Sequence, residues 1–193
     1  QHEIVTTDAA IFSDVPCPVH YKDTQKSPLK AQWNQSMSDE ITALKANDTW
    51  TYISRFDPRV RGRKPVGSRW VYTIKYARDG TISRYKSRFV VRGFTQRKGV
   101  DYDRAFSATL RGTTFRTLLA IAAGKKLRLM QIDVSNAFTQ ANMDDHFVAV
   151  EPAEGFEQWE KRNGKWYSML LLLKRALYGT KQASRLWQDT LRL

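Results

Sequence analysis

The chain has 193 residues, of which 41% are hydrophobic and 12% aromatic, enough apolar material for one sizeable core or two small ones. It has no apolar run near the roughly 20 residues of a membrane span and no signal-peptide pattern. We therefore expect no membrane association. A single cysteine, Cys17, allows no internal disulfide, so we expect a reducing compartment. The net charge of +13 is concentrated, since residues 55–128 hold 20 Lys and Arg against 4 Asp and Glu. This block favours a phosphate-binding surface over the alternative, a solvated basic face.

Residues 1–26 are polar and contain scattered prolines, which predicts a linker or lead-in. A helix is predicted to begin at Ser27-Pro28, with Ser as the N-cap and Pro at the first helical position. Apolar residues then recur at spacings of four, four and three, and Asn47-Asp48 ends the pattern. The predicted buried stripe consists of Trp33, Met37, Ile41 and Leu44.

A β-hairpin is predicted for residues 69–76 and 82–91, because both runs are rich in β-branched and aromatic residues and Asp79-Gly80 is a favoured turn pair. Side chains alternate along a strand, so the return strand should carry Arg84, Lys86 and Arg88 on one face. Tyr85, Phe89 and Val91 would lie on the other. The cationic face either binds phosphates or protects an exposed sheet edge by its charge.

A second helix is predicted from Thr113 or Thr114 to Gly124, with one apolar side made of Phe115, Leu118, Leu119 and Ala122. The apolar stretch 127–134 follows and is predicted to be a buried strand that contains Asp133 near its end. A carboxylate in that position is unfavourable unless it binds a cation or a strong donor. Phe138, five residues later, can form a wall beside whatever Asp133 holds.

The remaining sequence predicts a strand at 169–173, a hairpin at Asn163-Gly164 between two tryptophans, and a last helix from about Lys181. Asp144, Asp145 and His146 are interpreted as surface residues. The three histidines and one cysteine show no metal-ligand spacing, and the sequence has no Gly-rich phosphate loop. Carboxylate chemistry with Mg²⁺ remains, and it needs at least two carboxylates.

In collinear order from about Lys26 to Leu193, the chain resembles the reverse transcriptase of copia-type LTR retrotransposons. The matching stretches include Asn47-Asp-Thr-Trp50, Arg84-Tyr-Lys-Ser-Arg88, Arg92-Gly-Phe-Thr-Gln96, Gln131-Ile-Asp-Val134 with Ala137-Phe138, and Leu177-Tyr-Gly-Thr-Lys-Gln-Ala183. The resemblance implies an α+β fold in which an antiparallel sheet and packed helices form the fingers and an incomplete palm of a right-hand polymerase. It divides the chain into a lead-in (1–26), a fingers-like portion (27–112), a first palm portion (113–139), a second fingers portion (140–183) and a truncated return to the palm (184–193).

The same resemblance implies roles for individual residues. Asp133 matches the first catalytic aspartate, which binds Mg²⁺ together with the backbone carbonyl of Val134, and two such ions are implied. Phe138 matches the steric gate that excludes a ribonucleotide 2′-hydroxyl. The residues expected around the nucleotide and its triphosphate are Lys75, Lys86, Arg88, Tyr178, Gly179, Lys181 and Gln182.

The family's other catalytic carboxylates lie in a Tyr-x-Asp-Asp hairpin that this sequence does not contain. We therefore expect a fragment of an RNA-directed DNA polymerase that is inactive alone. The alternative is a catalytically dead, basic nucleic-acid-binding remnant of such an element, and a third possibility is an unrelated basic structural domain. The family implies RNA/DNA template-primer and dNTP as partners, integrase and RNase H in the same polyprotein, and a cytoplasmic virus-like particle as its location.

Overall fold

The computed structural model describes residues 16–108 and 110–192, and within that range the chain combines four α-helices with seven short strands. The helices are α1 (Tyr21–Lys26), α2 (Lys30–Ala46), α3 (Gly112–Gly124) and α4 (Ala183–Leu191). The strands are β1 (Trp50–Ile53), β2 (Ser68–Tyr76), β3 (Ile82–Val91), β4 (Ala149–Val150), β5 (Trp159–Arg162), β6 (Lys165–Ser168) and β7 (Leu170–Leu173). Every pairing between these strands is antiparallel. The mixed α and β content agrees with the fold class expected from the sequence.

Helix α2 buries its predicted stripe against the β2–β3 hairpin. Trp33, Met37 and Leu44 are fully buried, and Ile41 nearly so. The Trp33 ring meets Tyr72 of β2 and Tyr85 of β3 edge to face, with centroid distances of 5.3 and 5.0 Å. Edge-to-face contacts place the positive edge of one ring on the negative face of another, so they add to the gain from burial.

The β2–β3 hairpin forms within one residue of the predicted bounds, with its turn at Asp79-Gly80. Val71 pairs with Arg88, Thr73 with Lys86 and Lys75 with Arg84. Directly paired residues share a face, so the cations lie together on the face opposite Trp70, Tyr72 and Phe89. The predicted separation of a cationic and an aromatic face is therefore confirmed.

A second, three-stranded sheet has the order β1-β7-β4. Its central strand β7 is the apolar run Leu170–Leu173, as predicted. The β5–β6 hairpin precedes β7 directly, and Asn163 and Gly164 adopt positive φ values of 49° and 77° at its turn. Positive φ at both central residues suits the twist of a two-residue hairpin, which explains why this dipeptide marked the turn correctly.

Two predicted helix starts are wrong by a few residues. Helix α2 begins at Lys30, after Leu29, because the Ser27 hydroxyl accepts a hydrogen bond from the Leu29 N–H at 3.1 Å and Ser27 itself ends α1. Helix α3 begins at Gly112, after Arg111. The predicted lead-in 1–26 contains α1 in its second half, and its residues 1–15 lie outside the described part of the chain.

The predicted strand at 127–134 is also wrong. These residues form no strand, and Leu127, Leu129, Met130 and Ile132 are all exposed. A strand needs a neighbour to accept and donate its ladder hydrogen bonds, and no strand of the described chain pairs with this segment. None of the helices in residues 16–108 and 110–192 combines the length and apolar character that crossing a bilayer requires.

Candidate active site

Three of the predicted site residues lie together where the cationic hairpin meets the segment between β7 and α4. The Phe138 and Tyr178 rings meet edge to face at 5.1 Å between centroids. The Arg88 guanidinium carbon lies 5.7 Å from the centroid of the Tyr178 ring. Burial raises the pKa of the Tyr178 hydroxyl, the positive charge of Arg88 opposes that rise, and the negative charges of Glu40 and then Asp133 add to it. Tyr178 therefore joins the aromatic wall to a cation of β3, and the charge of Asp133 reaches it.

Short backbone contacts fix this arrangement. The Val91 N–H, at the end of β3, donates to the Tyr178 carbonyl at 2.8 Å, and the Ala176 N–H donates to the Ala141 carbonyl at 2.9 Å. A single 3-10 turn at Ala137–Gln140 carries Phe138. Its Thr139 hydroxyl accepts a hydrogen bond from the Asn47 amide at 2.8 Å. Residue Asn47 ends α2, so the helix packed on the hairpin also anchors the turn that bears Phe138.

Glycine is required where Tyr178 meets β3. Gly179 has φ +87°, and a Cβ there would lie 2.1 Å from the Val91 carbonyl oxygen. At Gly93 a Cβ would lie 1.9 Å from the Gly179 carbonyl oxygen. A residue without a Cβ permits such a close backbone approach, and the group that approaches Gly179 is the hairpin backbone.

Asp133 itself is exposed and lies in the irregular segment after α3. Among the described residues, no three His, Cys, Asp or Glu side chains come together in a way that could hold a metal ion. Hard cations such as Mg²⁺ prefer several oxygen ligands, so Asp133 and the Val134 carbonyl do not make a complete site. The two predicted metal ligands would thus supply only part of the coordination of a magnesium ion.

The cationic side of the site is built by alternation along β2 and β3. Burial lowers the pKa of the half-buried Lys86 ammonium, and the adjacent charges of Arg88 and Arg84 lower it further. Lys75 is exposed and pairs with Arg84 across the hairpin. Like charges this close repel one another, and the negative charge of Glu40 offsets part of that repulsion at Lys86.

Two predicted pocket residues occupy different environments. Lys181 is exposed, but the Gln182 side chain is fully buried. The Gln182 amide accepts from Gln96 at 3.2 Å and donates to the Asp101 carbonyl at 2.9 Å. A buried amide has to satisfy its own hydrogen bonds, so Gln182 holds the 96–101 loop against α4 and does not line an open pocket in this structure.

Sequence analysis missed an ionic cluster beside α4. The Arg185 guanidinium contacts Asp144 at 2.8 Å and Asp189 at 2.9 Å, and it donates to the Arg104 carbonyl at 3.1 Å. The His146 ring lies 3.1 Å from Asp144 and 3.4 Å from Asp103. Asp144 and His146 are therefore half-buried and paired, contrary to the surface position expected for them, whereas Asp145 is exposed. Only the Arg185–Asp189 pair follows a local period, i to i+4 on α4. The contacts of Arg185 with Asp144 and Arg104 span 41 and 81 positions, which no local pattern predicts.

Comparison with known proteins places this geometry in context. Residues 47–193 match the family described as reverse transcriptase (RNA-dependent DNA polymerase). The chain is 34% identical over 182 residues to the retrovirus-related Pol polyprotein from transposon TNT 1-94 of Nicotiana tabacum, which covers 94% of this chain and 13% of that protein. It is 36% identical over 161 residues to the Pol polyprotein from transposon RE2 of Arabidopsis thaliana, covering 83% of this chain and 10% of that protein.

A third similar protein, the Pol polyprotein from transposon RE1 of Arabidopsis thaliana, is 37% identical over 161 residues. The chain thus spans roughly a tenth of the length of these relatives. No solved structure matches the chain.

Proposed function

Since the chain belongs to the reverse transcriptase family, as found in Pol polyproteins of copia-type retrotransposons, we propose that it supplies part of the nucleotide site of an RNA-directed DNA polymerase. The observation that supports this most directly is the convergence of Phe138, Tyr178 and Arg88 next to Asp133. These groups come from three separate segments of the chain. A purely structural aromatic pair would not require a cation and an exposed carboxylate beside it.

In this proposal Asp133 and the Val134 carbonyl bind Mg²⁺ as one part of a two-ion site. Phosphoryl transfer by two metal ions needs at least two carboxylates. The described residues provide one in this position, so the others have to come from elsewhere in a longer polymerase. The 193-residue chain alone is accordingly inactive in primer extension.

Phe138 acts as the steric gate. Its ring is half-buried, and its position is fixed by the edge contact with Tyr178 and by the anchored turn around Thr139. A ring held in one place can exclude a sugar hydroxyl, whereas a mobile ring would move aside. The gate therefore depends on the same packing that orients Tyr178.

The cations Lys75, Lys86 and Arg88 bind the triphosphate of the incoming dNTP. They share one face of the β2–β3 hairpin, and the lowered pKa of Lys86 reflects burial and the repulsion among its cationic neighbours. A bound polyphosphate relieves that repulsion. Lys181 and the backbone of Tyr178-Gly179 border the nucleotide, and the block 55–128 contacts the template-primer.

Because the chain belongs to this family, residues 27–112 and 140–183 form the fingers in this proposal, while 113–139 and 184–193 form part of the palm. The partners of the chain are then template-primer, dNTP and the integrase and RNase H parts of a Pol polyprotein.

Primer extension tests the proposal in a Pol polyprotein that carries this chain. Replacing Asp133 by Asn should reduce the extension rate on the order of a thousandfold, because a metal ligand of the reacting phosphate is lost. The matched control is Asp145→Asn, an exposed carboxylate twelve residues later in the loop before β4, which should leave the rate unchanged. An unchanged rate for Asp133→Asn would refute the catalytic assignment.

The gate has its own test in the same protein. We expect Phe138→Ala to raise the use of ribonucleotides relative to deoxyribonucleotides by at least about tenfold, since the lost contact discriminates by one hydroxyl. Phe115→Ala, an exposed aromatic of α3, is the control. Unchanged sugar selectivity in Phe138→Ala would contradict the gate.

The second candidate function is a catalytically dead nucleic-acid-binding remnant. One observation favours it: the cationic face is complete in the described residues, whereas the carboxylate set is not. A polyprotein that binds template-primer but never extends it, with or without Asp133, would establish this alternative.

A further inference from the structure

The β5–β6 hairpin exposes two tryptophans on one face. Trp159 and Trp166 are 56% and 63% exposed. Lys161 pairs directly with Trp166, and Trp159 lies two residues before Lys161 on the same strand. Directly paired residues and residues two apart share a face, so Trp159, Lys161 and Trp166 form one outer surface, with the Lys161 ammonium 5.9 Å from the Trp166 ring centroid.

The opposite face of this hairpin packs on the protein. Glu160 accepts hydrogen bonds from the Ser54 hydroxyl at 2.7 Å and the Arg55 N–H at 3.1 Å. The Phe56 ring contacts Tyr167 edge to face at 4.8 Å, and the Arg162 guanidinium lies 4.4 Å from the Phe56 centroid. These contacts fix the hairpin against the loop after β1, so its outer face points away from the core.

The hairpin that bears the two tryptophans is basic. In the described residues, Lys161, Arg162 and Lys165 form no ion pair, and all three are exposed. Of the acidic residues in and next to the hairpin, Glu160 accepts hydrogen bonds from Ser54 and the Arg55 backbone, and Glu157 accepts one from the Gly155 N–H. Three cations against these two carboxylates leave the hairpin positive, and Lys161 lies on the face of the tryptophans.

The hairpin is separate from the proposed nucleotide site. It joins the start of β7, where Leu170 pairs with Ile53, whereas the Tyr178 segment follows the other end, where Leu173 pairs with Trp50. Strand β7 thus places about 10 Å of sheet between them, at ~3.3 Å per residue. A ligand on the tryptophans would not occupy the space beside Phe138.

We propose that the outer face formed by Trp159, Lys161 and Trp166 is a stacking platform for single-stranded RNA or DNA. Unpaired bases stack on exposed aromatic rings, and nearby cations bind the backbone phosphates. A duplex keeps its bases stacked on one another and cannot use such rings. The platform goes beyond the proposed polymerase role, because it needs neither Asp133 nor a metal.

The test measures binding of a fluorescein-labelled 15-nucleotide oligouridylate to the 193-residue chain by anisotropy, next to an RNA duplex of equal length. Replacing both tryptophans by Ala should weaken single-strand binding by about tenfold per tryptophan, while duplex binding through the β2–β3 cations stays the same. Phe substitution at both positions should restore most of the affinity, because a phenyl ring still stacks. Val19→Ala, which removes a highly exposed apolar side chain outside the block 55–128, is the control.

Salt dependence separates stacking from charge. Lys161→Ala should lower the slope of log affinity against log salt by about 0.7, the value for one phosphate contact on a single strand, whereas the tryptophan variants leave the slope unchanged. Lys22→Ala, an exposed cation of α1, should change neither. Lys161→Glu provides a second test should the double Ala variant unfold, because charge reversal on an exposed strand weakens binding without removing a ring.

Three results would overturn the proposal. The double Ala variant could bind the oligouridylate as tightly as the parent, as expected if the tryptophans serve a protein partner. It could lose duplex and single-strand binding equally, which would exclude stacking. Alternatively, the Phe variant could bind no better than the Ala variant. The effect of Asp133→Asn on primer extension bears on the polymerase role alone, because oligouridylate binding by the platform does not need Asp133. The two proposals can therefore fail separately.

Discussion

Helices α2 and α3 have similar apolar patterns, but the apolar side of α2 is buried and that of α3 is largely exposed. In α2 the stripe residues Trp33, Met37, Ile41 and Leu44 are between 0 and 5% exposed. In α3 the residues Phe115, Leu118 and Leu119 are between 37 and 53% exposed, and only Ala122 is buried. Both sequences place apolar residues every three or four positions. The period therefore determines that a helix forms and which side is apolar, but not what covers that side.

The difference lies in what each helix meets. The β2–β3 hairpin gives α2 a twisted aromatic face to pack on. In the described chain α3 and the segment 127–134 have no sheet beside them. Large exposed apolar surfaces are typical of interaction sites, and the uncovered side of α3 has this character.

The most direct way to break this comparison is a matched pair of leucine truncations. Leu44→Ala in α2 should lower the free energy of unfolding by about 4 kcal/mol, because it leaves a cavity in a core that cannot collapse. Leu118→Ala in α3 should change it by less than about 0.5 kcal/mol. Urea unfolding followed by circular dichroism measures both. Equal losses for the two variants would show that α3 is covered as well as α2.

A second test asks whether the Tyr178 segment belongs to the packed region. Gly179→Ala should lower the free energy of unfolding by about 3 kcal/mol, since it adds left-handed strain and a clash with the Val91 carbonyl. Gly80→Ala is the control, because its φ is +85° but nothing lies within 4 Å of the added Cβ. It should lose only about 1 kcal/mol. The same loss at both glycines would mean that the close contact between Gly179 and β3 is absent in solution.

Sequence analysis succeeded where the information is local. Asp79-Gly80 and Asn163-Gly164 marked two hairpins correctly, because a two-residue turn depends on its own φ values. The stripe of α2 was found for the same reason. It failed where the outcome depends on distant residues. The run 127–134 was apolar enough for a strand, but a strand exists only with a neighbour, and the described chain offers it none.

The candidate site shows the same division. The family motif assigned Asp133 and Phe138 to the site, an assignment that stays a prediction, and strand alternation correctly put Arg88 and Lys86 on one face. The contact of Phe138 with Tyr178, forty residues away in sequence, follows no local rule. The cluster of Arg185 with Asp144 is a similar long-range contact, and only the folded backbone brings its charges together.

That cluster provides the third test, which concerns how firmly α4 joins the loops before β4 and after β3. Arg185→Met should lower the free energy of unfolding by about 2 kcal/mol, because it leaves the half-buried Asp144 without its cation. The control is Arg59→Met, whose exposed pair with Asp57 should contribute less than about 0.5 kcal/mol. Chemical denaturation at constant salt measures the free energy of unfolding of both variants. If Arg185→Met is as mild as the control, solvent already screens the cluster and α4 is held by Ala183 and Leu186 alone.

The smallest effect is a pH dependence confined to the packed region. Burial raises the pKa of the Glu40 carboxyl above its ordinary value of 4.5, although the Phe89 N–H, Arg88 and Lys86 oppose the rise. The folded state then holds the proton more tightly than the unfolded state, so the free energy of unfolding falls as pH rises from 4.5 through the raised pKa. Glu40→Gln cannot ionise, and it should be more stable than the parent at pH 7 by less than about 1 kcal/mol. The difference should disappear at pH 4. Urea midpoints from pH 4 to 8 measure this difference in stability. If Glu40→Gln is instead less stable than the parent at pH 7, Arg88 and Lys86 stabilise the charged carboxylate more than burial destabilises it.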